Sequence, residues 1–158
     1  MPKIERKFLA HYMNATPSDA PSYERLGADL EELNVEMNAE IETKANILGE
    51  NSTKLSSYSA QASVEPYYAD SESPFFEFLQ GIVDKRKTLD GAKTDAVEVH
   101  MWGEQNGSYP AYKETAIVEI VSYGGDTTGY QIAFNVHYQG DRVEGTFDPK
   151  TKTFTPKA

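Results

Sequence analysis

The run Gly124-Gly125-Asp126-Thr127-Thr128-Gly129 carries the glycines and hydroxyls of a loop that cradles phosphate. A phosphate loop of that kind ends in Gly-Lys-Ser/Thr at the mouth of a helix, whose amides and dipole meet the anion. Here no lysine follows, and the next residues alternate. Tyr130, Ile132, Phe134, Val136 and Tyr138 fall on one side, Gln131, Ala133, Asn135 and His137 on the other. That period of two belongs to a strand. The glycines are therefore expected to turn a corner rather than hold a nucleotide.

The other reactive side chains are scattered in the same way. His11, His100 and His137 each stand alone in a strand-like stretch, without the convergent partners that zinc or iron needs, and are expected at the surface or an interface. Glu31, Glu32, Glu36, Glu40 and Glu42 could pair as acid and base. General acid–base work needs a carboxylate displaced by burial, and these lie in a uniformly polar run that reads as a solvated face. Asp126, Asp141 and Asp148 sit in turn-like stretches, where aspartate serves the backbone, and do not form a calcium loop. No Gly-x-Ser-x-Gly elbow is present. Tyr67 and Tyr68, or Tyr109 and Tyr112, could stack sugars or bases, although tyrosine in strands more often packs at a rim. The sequence assigns no catalytic residue, no cofactor and no metal ligand, and the expected mode of action is association rather than catalysis.

Whole-chain properties narrow the partners. A length of 158 residues suits one domain with a proper core. Fifteen Lys and Arg against 25 Asp and Glu give a formal charge of −10 and a pI near 4.7. Wrapping nucleic acid needs a basic footprint, so this balance argues against it and favours repulsion of polyanions. There is no cysteine, hence no disulfide or thiolate chemistry. The first residues, MPKIERKFLAHY, hold scattered charges, and no stretch approaches the roughly 18 apolar residues of a membrane span. Synthesis inside the cell without export is the expectation, with no membrane partner.

The elements that would position these residues are mostly strands. Phe8, Ala10 and Tyr12 alternate as a first strand, and Asn14–Ser22, with two prolines, is a loop. Leu30–Met37 fits two templates: Leu33, Val35 and Met37 alternate, yet Leu30, Leu33, Met37 and Ile41 are also spaced for a helix. Asn46–Ser59 is polar and weakly patterned, and reads as a long loop. Ala60–Tyr68 alternates again. Ser73-Pro74 then starts a helix over about 73–87, with Phe75, Phe78, Leu79, Ile82 and Val83 as its apolar stripe. Lys85, Arg86 and Lys87 suit its negative end. If the Phe78 ring is fully buried, Phe78→Ala should cost roughly 3–5 kcal/mol. After it come strands at Val97–Met101, Ala116–Ile120 and Tyr130–Tyr138, a hairpin signal at Asn106-Gly107, and a turn at Gln139-Gly140-Asp141 returning through Val143 and Phe147. The fold class is α+β, mainly β: two packed antiparallel sheets, as a sandwich or barrel, flanked by one helix, in a single domain over 1–158.

The order of these features resembles that of the tail tube (major tail) proteins of long-tailed bacteriophages, from about Tyr23 to Pro156. The residues that carry it are DLEELNVEMNAEIETK with the loop NILGENS, the strand and helix SVEPYYADSESPFFEFLQGIVDKRK, and the block AIVEIVSYGGDTTGYQIAFNVHYQGDRVEGTFDP. The match rests on order and spacing. Such proteins share two packed β-sheets flanked by one helix and are similar to type VI secretion tube subunits.

The resemblance implies a structural virion protein, encoded by a phage or prophage. It would self-assemble in the bacterial cytoplasm into stacked hexameric rings that form the tail tube. Its partners would be itself, the tape measure protein, the tail terminator and baseplate proteins. DNA would pass down the bore without specific binding. Leu30–Met37 would then be a strand, with Glu32, Glu36 and possibly Glu40 sharing one face and lining the lumen. The loop between early strands, flexible in the free subunit and ordered on stacking, would comprise Asn46, Ile47, Leu48, Gly49, Glu50, Asn51, Ser52, Lys54 and Leu55 within Asn46–Ser59. From another class comes the alternative, a monomeric β-sandwich that binds carbohydrate or a receptor through tyrosine-rich loops.

Overall fold

A computed structural model describes residues 2–27, 30, 32–103 and 106–157. The chain is mainly β, with two antiparallel sheets and one α-helix among the described residues. Its strands are β1 (Leu9–Asn14), β2 (Tyr23–Arg25), β3 (Val35–Glu36), β4 (Ala39–Ala45), β5 (Asn51–Tyr58) and β6 (Gln61–Tyr68). After the helix α1 (Pro74–Lys85) come β7 (Lys93–His100), β8 (Tyr109–Asp126), β9 (Gly129–Asp148) and β10 (Thr153–Pro156). The larger sheet runs β2-β1-β7-β8-β9-β6-β3, with β10 also on β9; β4 and β5 pair only with each other.

One sheet supplies two layers by curling. β1 and β9 are three steps apart in the order, about 14 Å if the sheet were flat. Yet the rings of Tyr12 on β1 and Phe147 on β9 lie 4.4 Å apart, and Tyr23 on β2 meets Phe147 edge-on at 5.9 Å. These residues, with Val97, Val99 and Ala111, form one apolar cluster. The other face holds the larger core, in which α1 lies over β6, β8 and β9. Val64, Val118, Ile132, Phe134 and Val136 meet Phe75, Leu79 and Ile82 there. The layering thus comes from the curled sheet and the helix, because every residue of β4 and β5 is exposed and that pair covers nothing.

α1 forms where its stripe predicts. Pro74 occupies the first turn, the Glu24 carboxylate accepts hydrogen bonds from Ser73 Oγ (2.6 Å) and the Phe75 amide (3.3 Å), and Arg86 ends the helix in the left-handed region at φ 51°. Phe75, Leu79, Ile82 and Val83 are buried, but Phe78 is only half-buried and stacks on Phe75. The full-burial condition for Phe78 is not met, and Phe75 is the anchor.

The proline-containing loop Asn14–Ser22 is closed by one buried side chain. Asn14 Oδ1 accepts from the amides of Thr16 (3.0 Å) and Ser22 (3.1 Å), while its carbonyl accepts from Thr94 Oγ1 at 2.6 Å. The loop thereby delivers Tyr23 to β2, a strand too short to show a period. Gly140, expected in a turn, instead lies within β9 at φ 77°, where the β8–β9 register shifts. The strand bends there and continues, as a bulge allows.

Candidate functional site

The most conspicuous surface is an arm. β3 pairs with β6 (Val35↔Ala62, Glu36↔Gln61), and beyond Asn38, at φ 47°, the same two chains continue as β4 and β5 from Ala39↔Tyr58 to Ala45↔Asn51. Asn38 Nδ2 donates to the Ser59 carbonyl at 3.0 Å and pins the joint. Seven residues of strand reach about 23 Å. No described residue packs on the arm, although Ile41 and Leu55 oppose one another on one face at 61% and 52% exposure. At its tip Asn46 Oδ1 accepts from the amides of Leu48 (2.9 Å) and Glu50 (3.0 Å), with Gly49 at φ 80°. That closed turn holds Ile47 completely exposed and Leu48 at 77%.

This corrects two expectations. Asn46–Ser59 is not a loop: Asn46–Glu50 is a tight turn and Asn51–Tyr58 is strand β5. Asn51, Ser52, Lys54 and Leu55 therefore lie on a paired strand, and Asn46–Glu50 at the tip. The polar run of Ser, Thr and Lys concealed the strand because no side of it is buried. Nor is Leu30–Met37 one strand, since among its described residues only Val35 and Glu36 pair. Glu32 precedes β3 and accepts from Asn34 Nδ2 at 2.6 Å, Glu36 ends β3, and Glu40 lies on β4 beyond the joint. The three do not share a face of one strand, although all are exposed. Glu42 is also exposed, and Glu31 lies outside the described residues.

A second constellation escaped the sequence reading because its members are far apart in the chain. Arg142 joins Glu98 through Nη2 (3.0 Å) and Glu114 through Nε (3.0 Å), and stands over the Tyr112 ring at 4.5 Å. His100 Nε2 is 2.8 Å from the same Glu98 oxygen, and its ring stacks on Trp102 at 4.6 Å. Burial acts to raise the Glu98 carboxyl, but the hydrogen bonds from His100 and Arg142 outweigh it and hold the group below its usual value. Burial raises Glu114, incompletely offset by Arg142. Both carboxylates are held by Arg142, and this arrangement ties β7, β8 and β9 together.

His11 is the exception among the histidines. It is buried, where a surface or interface position was expected, and its Nε2 has no hydrogen-bond partner among the described residues. Desolvation lowers its pKa to about 4, against the raising effect of Glu98. His137 is half-buried and 2.6 Å from Glu119. The glycines of 124–129 do turn a corner: β8 ends at Asp126 and β9 begins at Gly129. Asp126 Oδ1 accepts from the Thr128 amide at 2.8 Å and from its hydroxyl. A Cβ on Gly125 would meet the Gly129 carbonyl oxygen at 2.2 Å. Tyr67 packs edge-on to Phe75 and Phe134, so the stacking role considered for it is taken by the core.

Among the described residues no group of three His, Cys, Asp or Glu side chains is placed to hold a metal, and no helix is long and apolar enough to cross a membrane. No protein-family model matches the chain, and no curated protein matches it.

Proposed function

We propose that this chain is a structural subunit that assembles with its own copies into stacked hexameric rings, forming the tail tube of a long-tailed bacteriophage. The observation that carries self-assembly is the β4–β5 arm. A lone two-stranded hairpin is marginal in water, and open edges with exposed apolar side chains are features that monomeric proteins usually suppress. An arm with Ile41, Ile47, Leu48 and Leu55 exposed is built to be covered. The tube assignment is supported by the order and spacing of elements, including the one α-helix among the described residues, Pro74–Lys85. A formal charge of −10 suits a conduit that lets DNA slide. On this reading the subunit is made and assembled in the bacterial cytoplasm, is not an enzyme, and meets tape measure, terminator and baseplate proteins in the virion tail.

Size-exclusion chromatography followed by electron microscopy of the concentrated protein tests this. Rings or tubes with an open bore are expected, and a strict monomer at every concentration overturns the reading. One feature favours a second reading, a monomeric module for carbohydrate or a receptor: Trp102 is half-exposed and stacked on His100. A monomer retained on a glycan column would select it.

A further inference from the structure

The arm's tip has a complement elsewhere on the same chain. β7 pairs with β8 only as far as Lys93↔Ile117, so from Val118 to Asp126 β8 has β9 on one side and no described strand on the other. Between that free edge and the last turn of α1 lies an open groove of about 470 Å³. Ile82, Val83, Ile120 and Val121 give it an apolar lining, and Arg86 and Lys87 complete it at the helix end. Neither cation has an ion-pair partner among the described residues. Together with Lys85 they outnumber the neighbouring Asp84 on a chain that is otherwise acidic.

We propose that Ile47 and Leu48, at the β4–β5 tip of one copy, insert into this groove of a second copy, with Glu50 set against Arg86 and Lys87. This deepens the self-assembly reading above and rests on it. Three observations carry it. The tip is apolar, and the Asn46 side chain closes its turn, which reduces the ordering entropy lost on docking. It carries one acid beside its apolar pair, and the groove carries cations beside its apolar lining, so charge and apolarity match together. The tip does not occupy the groove of its own chain, because Ile47 is fully exposed. Knob and groove are different surfaces, so a docked pair still offers one of each. A contact of this head-to-tail kind repeats, closing into a ring if the rotation allows and extending into a filament if not.

The absence of cysteine makes a direct test clean. Leu48→Cys and Val121→Cys place thiols on two exposed residues, one on the tip and one in the groove, in separate chains. Treated with a short bismaleimide, a mixture of the two variants is expected to give a covalent dimer containing one of each, while each variant alone stays monomeric. A chain carrying both substitutions should give a ladder of multimers, and adding Ile47→Asp should remove it. Lack of the mixed dimer, in protein that still forms rings or tubes when unsubstituted, overturns the groove as receptor and leaves self-assembly standing. An intramolecular link within the double variant overturns it equally. If the unsubstituted protein never assembles and no dimer forms, both readings fall together.

Discussion

Two hairpins of this chain, β8–β9 and β4–β5, are built from the same antiparallel pairing and end in tight turns, yet only one belongs to the body. β9 places Ile132, Phe134 and Val136 under α1, where all three are buried. β5 places Leu55 opposite Ile41, and both are exposed. Backbone pairing is therefore local, and what separates a structural strand from an arm is whether another layer covers its apolar face. The covered hairpin is stabilised by that burial; the bare one leaves its apolar residues available to something else.

The sharpest break of this contrast is a pair of truncations. Phe134→Ala should lower the unfolding free energy by about 3–5 kcal/mol, the range for a buried aromatic ring, whereas Leu55→Ala should change it by less than about 0.5 kcal/mol. Urea titration of both variants measures this, and equal losses would mean that the arm packs in solution.

The acid limb of stability is the next largest effect, and it belongs to the body alone. The folded protein holds His11 at a pKa of about 4, below the 6.5 of a free histidine. A depressed histidine is protonated in the unfolded chain before it is protonated in the fold. Stability is thus full above pH about 6.5 and falls as pH drops toward 4, by up to about 3 kcal/mol. His11→Leu should flatten that part of the profile in denaturant titrations at pH 7 and 4.5. An unchanged slope would show that His11 is not the titrating group.

Removing the arm should do little to the fold and most to assembly. Ala39 and Tyr58 are directly paired, so a short Gly-Ser turn can replace the residues between them. The melting transition should move little, since no core residue is lost, while rings and tubes disappear from micrographs. Tubes of normal length from the shortened chain would remove the arm from the assembly.

The smallest effect expected on folding is that of lysine at Glu32, Glu36 and Glu40 together, within about ±0.5 kcal/mol for exposed sites. If the chain forms the proposed tail tube and these carboxylates line its bore, virions carrying the triple variant should pass DNA poorly. Normal infection would mean that the acidic residues line no such bore.

What the sequence could show was whatever burial had written into its period. The stripe of α1 and the alternation of β9 are visible because one face of each meets a core, and the glycine corner at 124–129 because its backbone needs φ values of 142°, 118° and 147° at its three glycines. β5 was hidden for the opposite reason: exposed on both faces, it has no apolar period and reads as a polar loop. β2 has three residues and β3 two, too few to show any period. The remaining features came from the tertiary structure alone. Arg142 reaches Glu98 and Glu114 because β7, β8 and β9 are neighbours, which a sequence distance of 44 residues between Arg142 and Glu98 does not reveal. The burial of His11, the curl that sets Phe147 against Tyr12, and the groove beside the free edge of β8 likewise depend on which strands end where. Local sequence sets the period of each element, and the packing of distant elements sets which of their faces are closed to water and which are left open.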